Sequence, residues 1–564
     1  MKEDSEAQGK EGQLAGATLL KGAAVLGVAA VISKLIGTIQ KIPLQNVAGD
    51  EVFGIYNAVY PLYILILFLA TAGFPIVVSK FVSEHVSAGR HEEAHRVLRV
   101  SSAVLAATGF LFFLFLFCGA DWLAGLMGAS QTSRAIRSVS FALLLVPVMS
   151  ALRGYFQGYQ NMIPTAVSQV VEQTIRVATM FGLLLLFVHY GYGADWIAAG
   201  ATFGSVMGAV AGLLVMLHYY LKGRRKGKDS SLLKTAAFAP AKSGEVCYAR
   251  ESNSSLIRRL LLYALPICLG TIALPILTLV DSFSVPRLLK HHGLDEMGAL
   301  YQFGLYNHGL PLVQLVAMLA SSMSAALVPA IAQAKAKGDS ALLRSRTEQS
   351  LRLTWLIGLA ASVGLAVLAE PINVMFFRSG EGSLAMVILS FTALFSILNI
   401  VASSVLQGFG AVAAPAFYLL AAAAAKIAAN AALVPRWGID GAATAAVVAY
   451  ALAGGLALAH ALRATGVTPA FGQTVIKPML SLGLMTVGLL AVTRGLPALL
   501  GALHVGLPLR GMATVVSLAG VAVGALVYAL ALLRLGVVSS AELEQVPQLR
   551  GKPLALLRRT KLLR

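Results

Sequence analysis

The stretch FGIYNAVYPL, residues 53–62, recurs almost unchanged as FGLYNHGLPL, residues 303–312, at an offset of 250 positions. Two further pairs, a Gln-Gly dipeptide and a basic residue, are related by the same offset: Gln157-Gly158 with Gln407-Gly408, and Arg176 with Lys426. A single offset that holds in three separate segments is typical of an internal duplication. The sequence therefore predicts two similar halves.

The composition of the chain indicates a membrane protein. Of the 564 residues, 57% are hydrophobic and only 12% are charged, whereas soluble domains carry about 25% charged residues. Apolar runs of about 20 residues recur along the chain, and each is long enough to cross a bilayer as a helix. Fourteen spans are predicted, at residues 20–42, 54–80, 98–119, 135–157, 163–188, 195–219, 257–285, 305–331, 351–369, 383–407, 414–434, 440–462, 474–494 and 509–533.

The predicted fold class is an all-α integral membrane protein with two six-helix lobes and two C-terminal helices. Each repeat holds six predicted spans, so both halves have the same orientation and are related by a pseudo-two-fold axis along the membrane normal. The predicted limits are an N-terminal tail at 1–19, a first lobe at 20–219, a linker at 220–256, a second lobe at 257–462, two further spans at 474–533 and a C-terminal tail at 534–564.

The basic residues lie mainly in alternate connections between the spans. The chain has 44 Lys and Arg against 25 Asp and Glu, a net charge of +19. Because cytoplasmic connections carry the excess of Lys and Arg, both termini and the linker are predicted to face the cytoplasm of a bacterial plasma membrane. The C-terminal stretch RGKPLALLRRTKLLR is predicted to face anionic lipids, and no nucleic-acid partner is expected. The three cysteines suggest no disulfide framework.

Polar side chains recur at helical spacing inside two spans of the first lobe. In the fifth span, Thr165, Gln169, Glu172, Gln173 and Arg176 fall within a stripe about 80° wide. The first span repeats the pattern with Lys34, Gly37, Thr38 and Lys41. A charge at mid-bilayer costs roughly 2.5–3.5 kcal/mol and usually marks a pathway or a site. The predicted residues of a substrate-binding cleft are Lys34, Lys41, Gln169, Glu172, Gln173, Arg176 and Lys426.

Structural explanations for two of these charges stay open at this point. Glu172 and Arg176 are four residues apart on one helix and could satisfy each other as an ion pair. Lys41 lies near the end of its span and could extend to the membrane interface.

Oxygen-bearing side chains in the seventh and tenth spans are candidates for a cation site. Asp281, Asn399 and Ser403 offer the ligands that hold Na⁺ or a proton. Transport is accordingly predicted to use Na⁺, H⁺ or the membrane potential, without a cofactor and without a firm metal site.

Three stretches of the chain resemble a known family. They are ALRGYFQGYQNMIPTAVSQVVEQTIRV (151–177), IRSVSFALLLVPVMS (136–150) and TAGFPIVVSKFVSE (71–84). They resemble the MurJ and stage V sporulation protein B branch, with its YtgP-like members, of the multidrug/oligosaccharidyl-lipid/polysaccharide (MOP) exporter superfamily. The resemblance covers most of the chain. It implies the two-lobe fold and the movement of an undecaprenyl-pyrophosphate-linked glycan, typically the peptidoglycan precursor lipid II, to the outer leaflet.

Some residues of the chain match the family's motifs, and others depart from them. ISKLIG (32–37) resembles the family's first-helix Ser-Arg/Lys-x-x-Gly motif, with Lys34 as its cation. Gln40-Lys41 stands where well-studied members have Arg-Asp, and ILILFLA (64–70) lacks the arginines of their second helix. Asp281 and Asn399 resemble two ligands of a sodium site, and Ser403 stands in place of a second carboxylate. The oligomeric state is left open.

Two other functions compete with a flippase. A multidrug/cation antiporter of the same superfamily shares the architecture, but it favours acidic residues in the cleft, where Lys34, Lys41, Arg176 and Lys426 outnumber the acids. A membrane glycosyltransferase or polymerase needs paired acids or a nucleophile on a sizeable loop. The predicted external connections are short and hold no carboxylate pair with a histidine. The sequence therefore favours a transporter of an anionic lipid-linked glycan over an enzyme.

The predicted topology is open to a labelling test. A cysteine placed in the linker, after the three native cysteines are replaced, should resist an impermeant thiol reagent in intact cells, because the linker is predicted to be cytoplasmic. It should react once the cells are permeabilised. Ready labelling in intact cells would contradict the predicted orientation.

Overall fold

The computed structural model describes residues 22, 24–71, 73–225, 252–468, 472–504 and 506–538. Helices joined by turns make up these ranges, within which no β-strand occurs. The predicted N-terminal tail and most of the linker and C-terminal tail lie outside the described residues.

The helices are numbered in chain order. Those before residue 226 are α1 (24–39), α2 (Lys41–Thr71), α3 (Phe74–Ser87), α4 (His91–Cys118), α5 (Ala120–Met127), α6 (Ser133–Ser140), α7 (Val146–Gly158), α8 (Ile163–His189) and α9 (Ala194–Arg225). Those after residue 251 are α10 (Asn253–His291), α11 (Glu296–Tyr306), α12 (Leu310–Ala336), α13 (Ser340–Val367), α14 (Ala369–Phe377), α15 (Ser383–Gly408), α16 (Ala414–Thr465), α17 (Lys477–Ala502) and α18 (Leu509–Arg534).

Within the described residues, each predicted span contains helix. By length and composition, 11 helical segments of the described residues are able to cross a membrane. Two of them, Ala24–Ser87 and Ala414–Thr465, contain breaks at Gly49 and Gly438, where the backbone is not helical. The 39-residue α10 is a further long helix. The all-α class is confirmed, while the count of fourteen spans stays a prediction.

Two predicted spans are interrupted well inside their limits. The span predicted at 135–157 is divided into α6 and α7 by a 3-10 turn at Phe141–Leu144, because Pro147 lacks the N–H that a continuous helix needs there. The span predicted at 54–80 breaks at Gly73, which adopts a left-handed φ of 68°, and α3 follows with a proline in its first turn. Hydropathy locates a membrane segment but does not register such breaks.

By packing, the chain divides into two compact units, Met1–Gly304 and Leu305–Arg564. The boundary lies within α11, well after the predicted linker, so α10 belongs to the first unit although it is the first helix of the second repeat. Packing and sequence repetition are different properties of a chain, and the predicted lobe limits therefore stay a prediction.

Polar contacts hold both ends of the α10 region within the first unit. At the start of α10, Arg96 donates hydrogen bonds of 3.0 and 2.8 Å to the side-chain oxygen of Asn253. Beyond its end, the Glu296 carboxylate accepts hydrogen bonds from the Ser130 hydroxyl at 2.6 Å and the Gln131 N–H at 3.1 Å. The helix is thus fixed to segments that precede it by more than a hundred residues.

The duplication is visible inside each unit. In the first unit a long helix precedes a short one, α4 and α5, and the second unit repeats this order with α13 and α14. A Cβ at Gly158 would lie 2.8 Å from the carbonyl oxygen of Ser79, and a Cβ at Gly408 would lie 2.8 Å from that of Val328. The repeated glycine therefore meets a neighbouring carbonyl in the same way in both units.

In the first unit, α9 packs antiparallel to α8 through glycines. They recur at every fourth position of α9: Gly200, Gly204, Gly208 and Gly212. A Cβ at Gly204 would lie 2.6 Å from the carbonyl oxygen of Arg176, and one at Gly208 would lie 2.7 Å from that of Glu172. Small residues at this spacing let membrane helices approach backbone to backbone. The contact fixes the rotation of α8 about its axis.

The second unit is built around α15, most of whose residues are buried against α12, α13 and α16. The two C-terminal helices belong to this unit. Gly520 of α18 packs against Leu368, and the Tyr528 hydroxyl donates a 3.1 Å hydrogen bond to the carbonyl oxygen of Leu356. Apolar packing and one buried hydrogen bond thus attach α17 and α18 to the unit.

A glycine substitution tests the α8–α9 contact. Gly208→Ala should lower the melting temperature in detergent, because the added methyl overlaps the Glu172 carbonyl and such overpacking costs about 1–3 kcal/mol. Gly182→Ala is the matched control, since no described atom lies within 4 Å of its added methyl and the change should be neutral or stabilise by about 0.4–1 kcal/mol. Equal melting temperatures for the two variants would contradict the packing argument.

Candidate functional site

Arg176 of α8 is a buried cation, with 9% of its surface exposed. Its Nη1 donates a hydrogen bond to the Tyr60 hydroxyl at 3.3 Å and another to the side-chain oxygen of Gln173 at 3.4 Å. Its Nε has no hydrogen-bond partner, and no carboxylate of the described residues lies within ion-pair distance. A guanidinium carries five N–H donors, so this one is poorly satisfied.

The first helix runs parallel to α8 and brings its predicted polar face against it. A Cβ at Gly22 would lie 3.2 Å from the side chain of Met162, and one at Gly37 would lie 2.9 Å from Nε2 of Gln173. Contacts that advance in the same direction on both helices define a parallel pair. The polar stripes of α1 and α8, predicted separately, therefore meet at Gly37 and Gln173.

The two predicted lysines lie one helical turn to either side of Gly37. Lys34 is exposed, whereas Lys41 is buried, with 7% of its surface exposed. Its burial rules out the alternative that Lys41 extends to the interface. Neither lysine forms an ion pair within the part of the chain that the structure describes. Lys41 is thus a second buried cation of the first unit without a carboxylate partner.

Tyrosines of α2 connect the end of α1 with Arg176. Gln40 donates a 3.5 Å hydrogen bond to the Tyr56 hydroxyl, and the rings of Tyr56 and Tyr60 are stacked, with centroids 5.5 Å apart. Tyr60 in turn accepts from Arg176. Sequence reasoning missed these tyrosines, although their spacing of four residues places them on one face of α2. We use the name Arg176 site for Tyr60, Gln173 and Arg176, which are joined by hydrogen bonds.

Glu172 is paired with a residue other than the one predicted as an alternative. Its carboxylate accepts a 2.8 Å hydrogen bond from Nη2 of Arg153, which also donates to the Ser168 hydroxyl at 2.8 Å. The alternative of a Glu172–Arg176 ion pair is therefore wrong. Its physical reason is the close contact of α9 with α8, which directs Glu172 toward the end of α7 and leaves Arg176 facing α2.

Several polar atoms on the stripe of α8 are buried without a hydrogen-bond partner. They are Thr165 Oγ1, Gln169 Oε1, Gln173 Nε2 and Arg176 Nε. Buried polar groups are nearly always paired, so a row of four such atoms is what a polar ligand or ordered water would satisfy. The stripe extends over about 16 Å of helix at 1.5 Å per residue.

The remaining predicted residues divide between the two units. Lys426 of α16, the repeat counterpart of Arg176, is buried in the second unit, with 1% of its surface exposed. Asn399 and Ser403 lie one turn apart on α15, and the side-chain oxygens of both are buried without a hydrogen bond. Asp281 is buried in the first unit. Each unit by itself therefore holds only part of the predicted cation site, which stays a prediction.

The family of the chain follows from comparison with known proteins. Residues 19–335 match the family described as Polysaccharide biosynthesis protein, and residues 266–431 match the MatE family. The chain belongs to the polysaccharide biosynthesis family of the MOP superfamily. The resemblance inferred from the sequence is confirmed.

Relatives of this MOP-superfamily chain include two Bacillus subtilis proteins. The membrane protein YabM is 34% identical over 93% of this chain and 94% of its own length. The lipid II flippase MurJ is 30% identical over 77% of this chain and 80% of its own length.

Solved structures show the same two-lobe fold. A multidrug-resistance MATE transporter in an inward-facing conformation has a TM-score of 0.63 at 14% identity, over 77% of this chain and 94% of that one. The lipid II flippase MurJ in an inward closed conformation has a TM-score of 0.62 at 15% identity, over 90% of this chain and 99% of that one.

A double-mutant cycle tests the pairing of Glu172. Glu172→Gln and Arg153→Gln should each lower the free energy of unfolding by about 1–3 kcal/mol, because each leaves a mostly buried charge unpaired. The measurement is the melting temperature of each variant, which should fall accordingly. The double variant should recover part of the loss, whereas Glu172→Gln combined with Arg176→Gln should be additive. Recovery in the second combination, and not in the first, would contradict the assigned ion pair.

Proposed function

We propose that the protein moves an undecaprenyl-pyrophosphate-linked glycan, lipid II or a related cell-wall or polysaccharide precursor, across the plasma membrane by alternating access. One observation carries the proposal: Arg176 is buried without a carboxylate partner. An unpaired cation inside a membrane protein is costly and usually belongs to a functional site. An anionic cargo supplies the missing partner.

The chemistry of the site suits a pyrophosphate. Arg176 offers charge-assisted hydrogen bonds that replace the water a pyrophosphate headgroup loses, and Lys41, one turn beyond the Gly37 contact with Gln173, is a second buried cation of the same unit. Gln173 Nε2 adds an unbonded donor. Toward the start of α8, Gln169 offers an oxygen that a sugar hydroxyl is able to satisfy. The prenyl chain needs no polar path and stays in lipid throughout.

The comparisons support a flippase without deciding the cargo. A relative of 30% identity is a lipid II flippase, and the inward closed form of such a flippase has the same fold. MATE transporters share the fold as well, so a multidrug/cation antiporter is the second candidate. A cation carrier would need an unpaired acid in the site, and the nearby Glu172 is already paired with Arg153. The uncompensated charge of the site is positive, which favours the flippase.

Energy coupling and orientation are further parts of the proposal. Asp281, Asn399 and Ser403 remain candidates for Na⁺ or H⁺, and the membrane potential is the alternative drive. Cytoplasmic termini and a basic tail against anionic lipid follow from the distribution of Lys and Arg.

Substitution of the cations tests the proposed cargo. Lys41→Ala and Arg176→Ala should each weaken binding of a pyrophosphate lipid about ten- to a hundredfold, since charge-assisted hydrogen bonds contribute about 1.5–3 kcal/mol each. Lys34→Ala should reduce transport, and Lys34→Arg should retain it because a cation is kept. The measurements are flipping of a fluorescent undecaprenyl-pyrophosphate glycan in proteoliposomes and protein abundance in the membrane.

Arg137→Ala is the matched control. Arg137 is also an arginine of the first unit, but it pairs with Asp121 and is well exposed, so flipping should not change. Full flipping by a stable Lys41→Ala, Arg176→Ala double variant would refute the role of the cations. The glycan can be identified by depleting the protein in cells. The lipid-linked intermediate that then accumulates is the expected cargo.

A further inference from the structure

A segment of α2 is delimited by two interruptions of the helix. At Gly49 the backbone leaves the helical region, with φ 81° and ψ 174°. Pro61 lies inside the helix and has no N–H, so the carbonyl of Asn57 lacks its donor one turn on. Both are points at which helices bend. The segment between them, residues 50–60, is therefore a short helical rod between two hinge points.

One part of this rod makes a backbone-to-backbone crossing with α11. A Cβ at Gly54 would overlap the carbonyl oxygen of Leu300, and a Cβ at Gly304 would overlap the carbonyl oxygen of Asp50. These positions are related by the repeat offset of 250, so the two repeated helices cross at equivalent points. All four residues lie in the first unit. Such a crossing tolerates little displacement before its contacts are lost.

The other end of the rod touches the Arg176 site. Tyr60 is the last residue before the proline hinge, and its hydroxyl accepts the 3.3 Å hydrogen bond from Arg176. Its ring is held on the same rod by stacking against Tyr56. The rod thus carries the crossing glycine and a partner of the buried cation within two helical turns.

The bond between Tyr60 and Arg176 is one that an anion would displace. It joins the guanidinium to a neutral oxygen at 3.3 Å, whereas a phosphate oxygen carries negative charge and offers a shorter bond between a charged donor and a charged acceptor. Loss of this bond would remove the restraint on the Tyr60 end of the rod, which would still be held by the Gln40 bond to Tyr56, by its buried side chains and by the crossing at Gly54. Resting on the proposed function, we infer that Tyr60 is a positioning residue that couples occupation of the Arg176 site by a pyrophosphate to movement of residues 50–60.

Hydrogen exchange of the full-length protein in lipid nanodiscs tests this coupling. Inorganic pyrophosphate is the probe, with sulfate at equal ionic strength as the control. In the unsubstituted protein, pyrophosphate should speed amide exchange in residues 50–60 by roughly tenfold, as expected for the loss of one hydrogen bond to a charged group. Exchange in α17 and α18 should not change.

Tyr60→Phe separates coupling from ligand contact. It keeps the ring, so without ligand its residues 50–60 should already exchange roughly tenfold faster, and pyrophosphate should add nothing. Its affinity for pyrophosphate, measured by calorimetry, should be equal or higher, because Arg176 no longer gives up a bond. Tyr56→Phe removes a hydroxyl from the same rod without touching Arg176 and should keep the response to pyrophosphate.

The outcomes distinguish the coupling from the proposed function. Exchange in ligand-free Tyr60→Phe equal to that of the unsubstituted protein would overturn the coupling. An affinity reduced about tenfold in Tyr60→Phe would make Tyr60 a ligand contact and overturn it as well. If pyrophosphate fails to bind the unsubstituted protein, the proposed cargo is refuted, and the comparison of ligand-free Tyr60→Phe with the unsubstituted protein still decides whether Arg176 restrains the rod.

Discussion

The close contact between α8 and α9 is the constraint on which the rest of the first unit depends. Gly204 and Gly208 let the two backbones approach so closely that little rotation of α8 about its axis is possible. This orientation turns Glu172 toward Arg153 and Arg176 toward the tyrosines of α2. A larger residue in the row would push α8 outward and change both sets of partners together. The charge pattern of the unit is therefore a consequence of backbone packing.

The two arginines near Glu172 differ in how their charges are compensated. Arg153 and Glu172 neutralise each other and also bond Ser168, an arrangement that is complete without a ligand. Arg176, one turn further along α8, has only a phenol and an amide as partners. Because both arginines lie in the same unit, an overall excess of basic residues does not explain the contrast. It reflects a division between a structural ion pair and a buried cation without a carboxylate partner.

Much of the site could be predicted from the sequence because helical periodicity is independent of tertiary structure. The spacing of Gln169, Gln173 and Arg176 defines a face on any helix, and the structure places that face against α1. The partner of Glu172 could not be predicted in this way, since Arg153 lies on another helix and Arg176 is nearer in sequence. The tyrosines of α2 were missed because the stretch that contains them, residues 53–62, was interpreted only as evidence of a duplication. The glycine row of α9 was a further sequence signal, and it determines which of these contacts form.

Hydropathy located the membrane segments because the cost of placing polar groups in lipid applies to each span separately. It does not depend on how the spans pack against one another. Hydropathy did not predict the grouping of α10 with the first unit, which rests on particular pairs. Lys80 lies 4.0 Å from the centroid of the Tyr263 ring, and Arg96 bonds Asn253, so the start of α10 is attached to α3 and α4.

The two repeats have also diverged in α8 and its counterpart, the first part of α16. The counterparts of Gln169 and Gln173 at the repeat offset are Leu419 and Ala423, and only the cation is retained, as Lys426. A polar stripe is therefore present on α8 and absent from the sequence of α16. Duplication supplied two equivalent helices, and under the proposed function only one of them needs to contact the headgroup of an asymmetric cargo. The polar face in the first half and the alanine-rich face in the second are what this proposal predicts for a single cationic site.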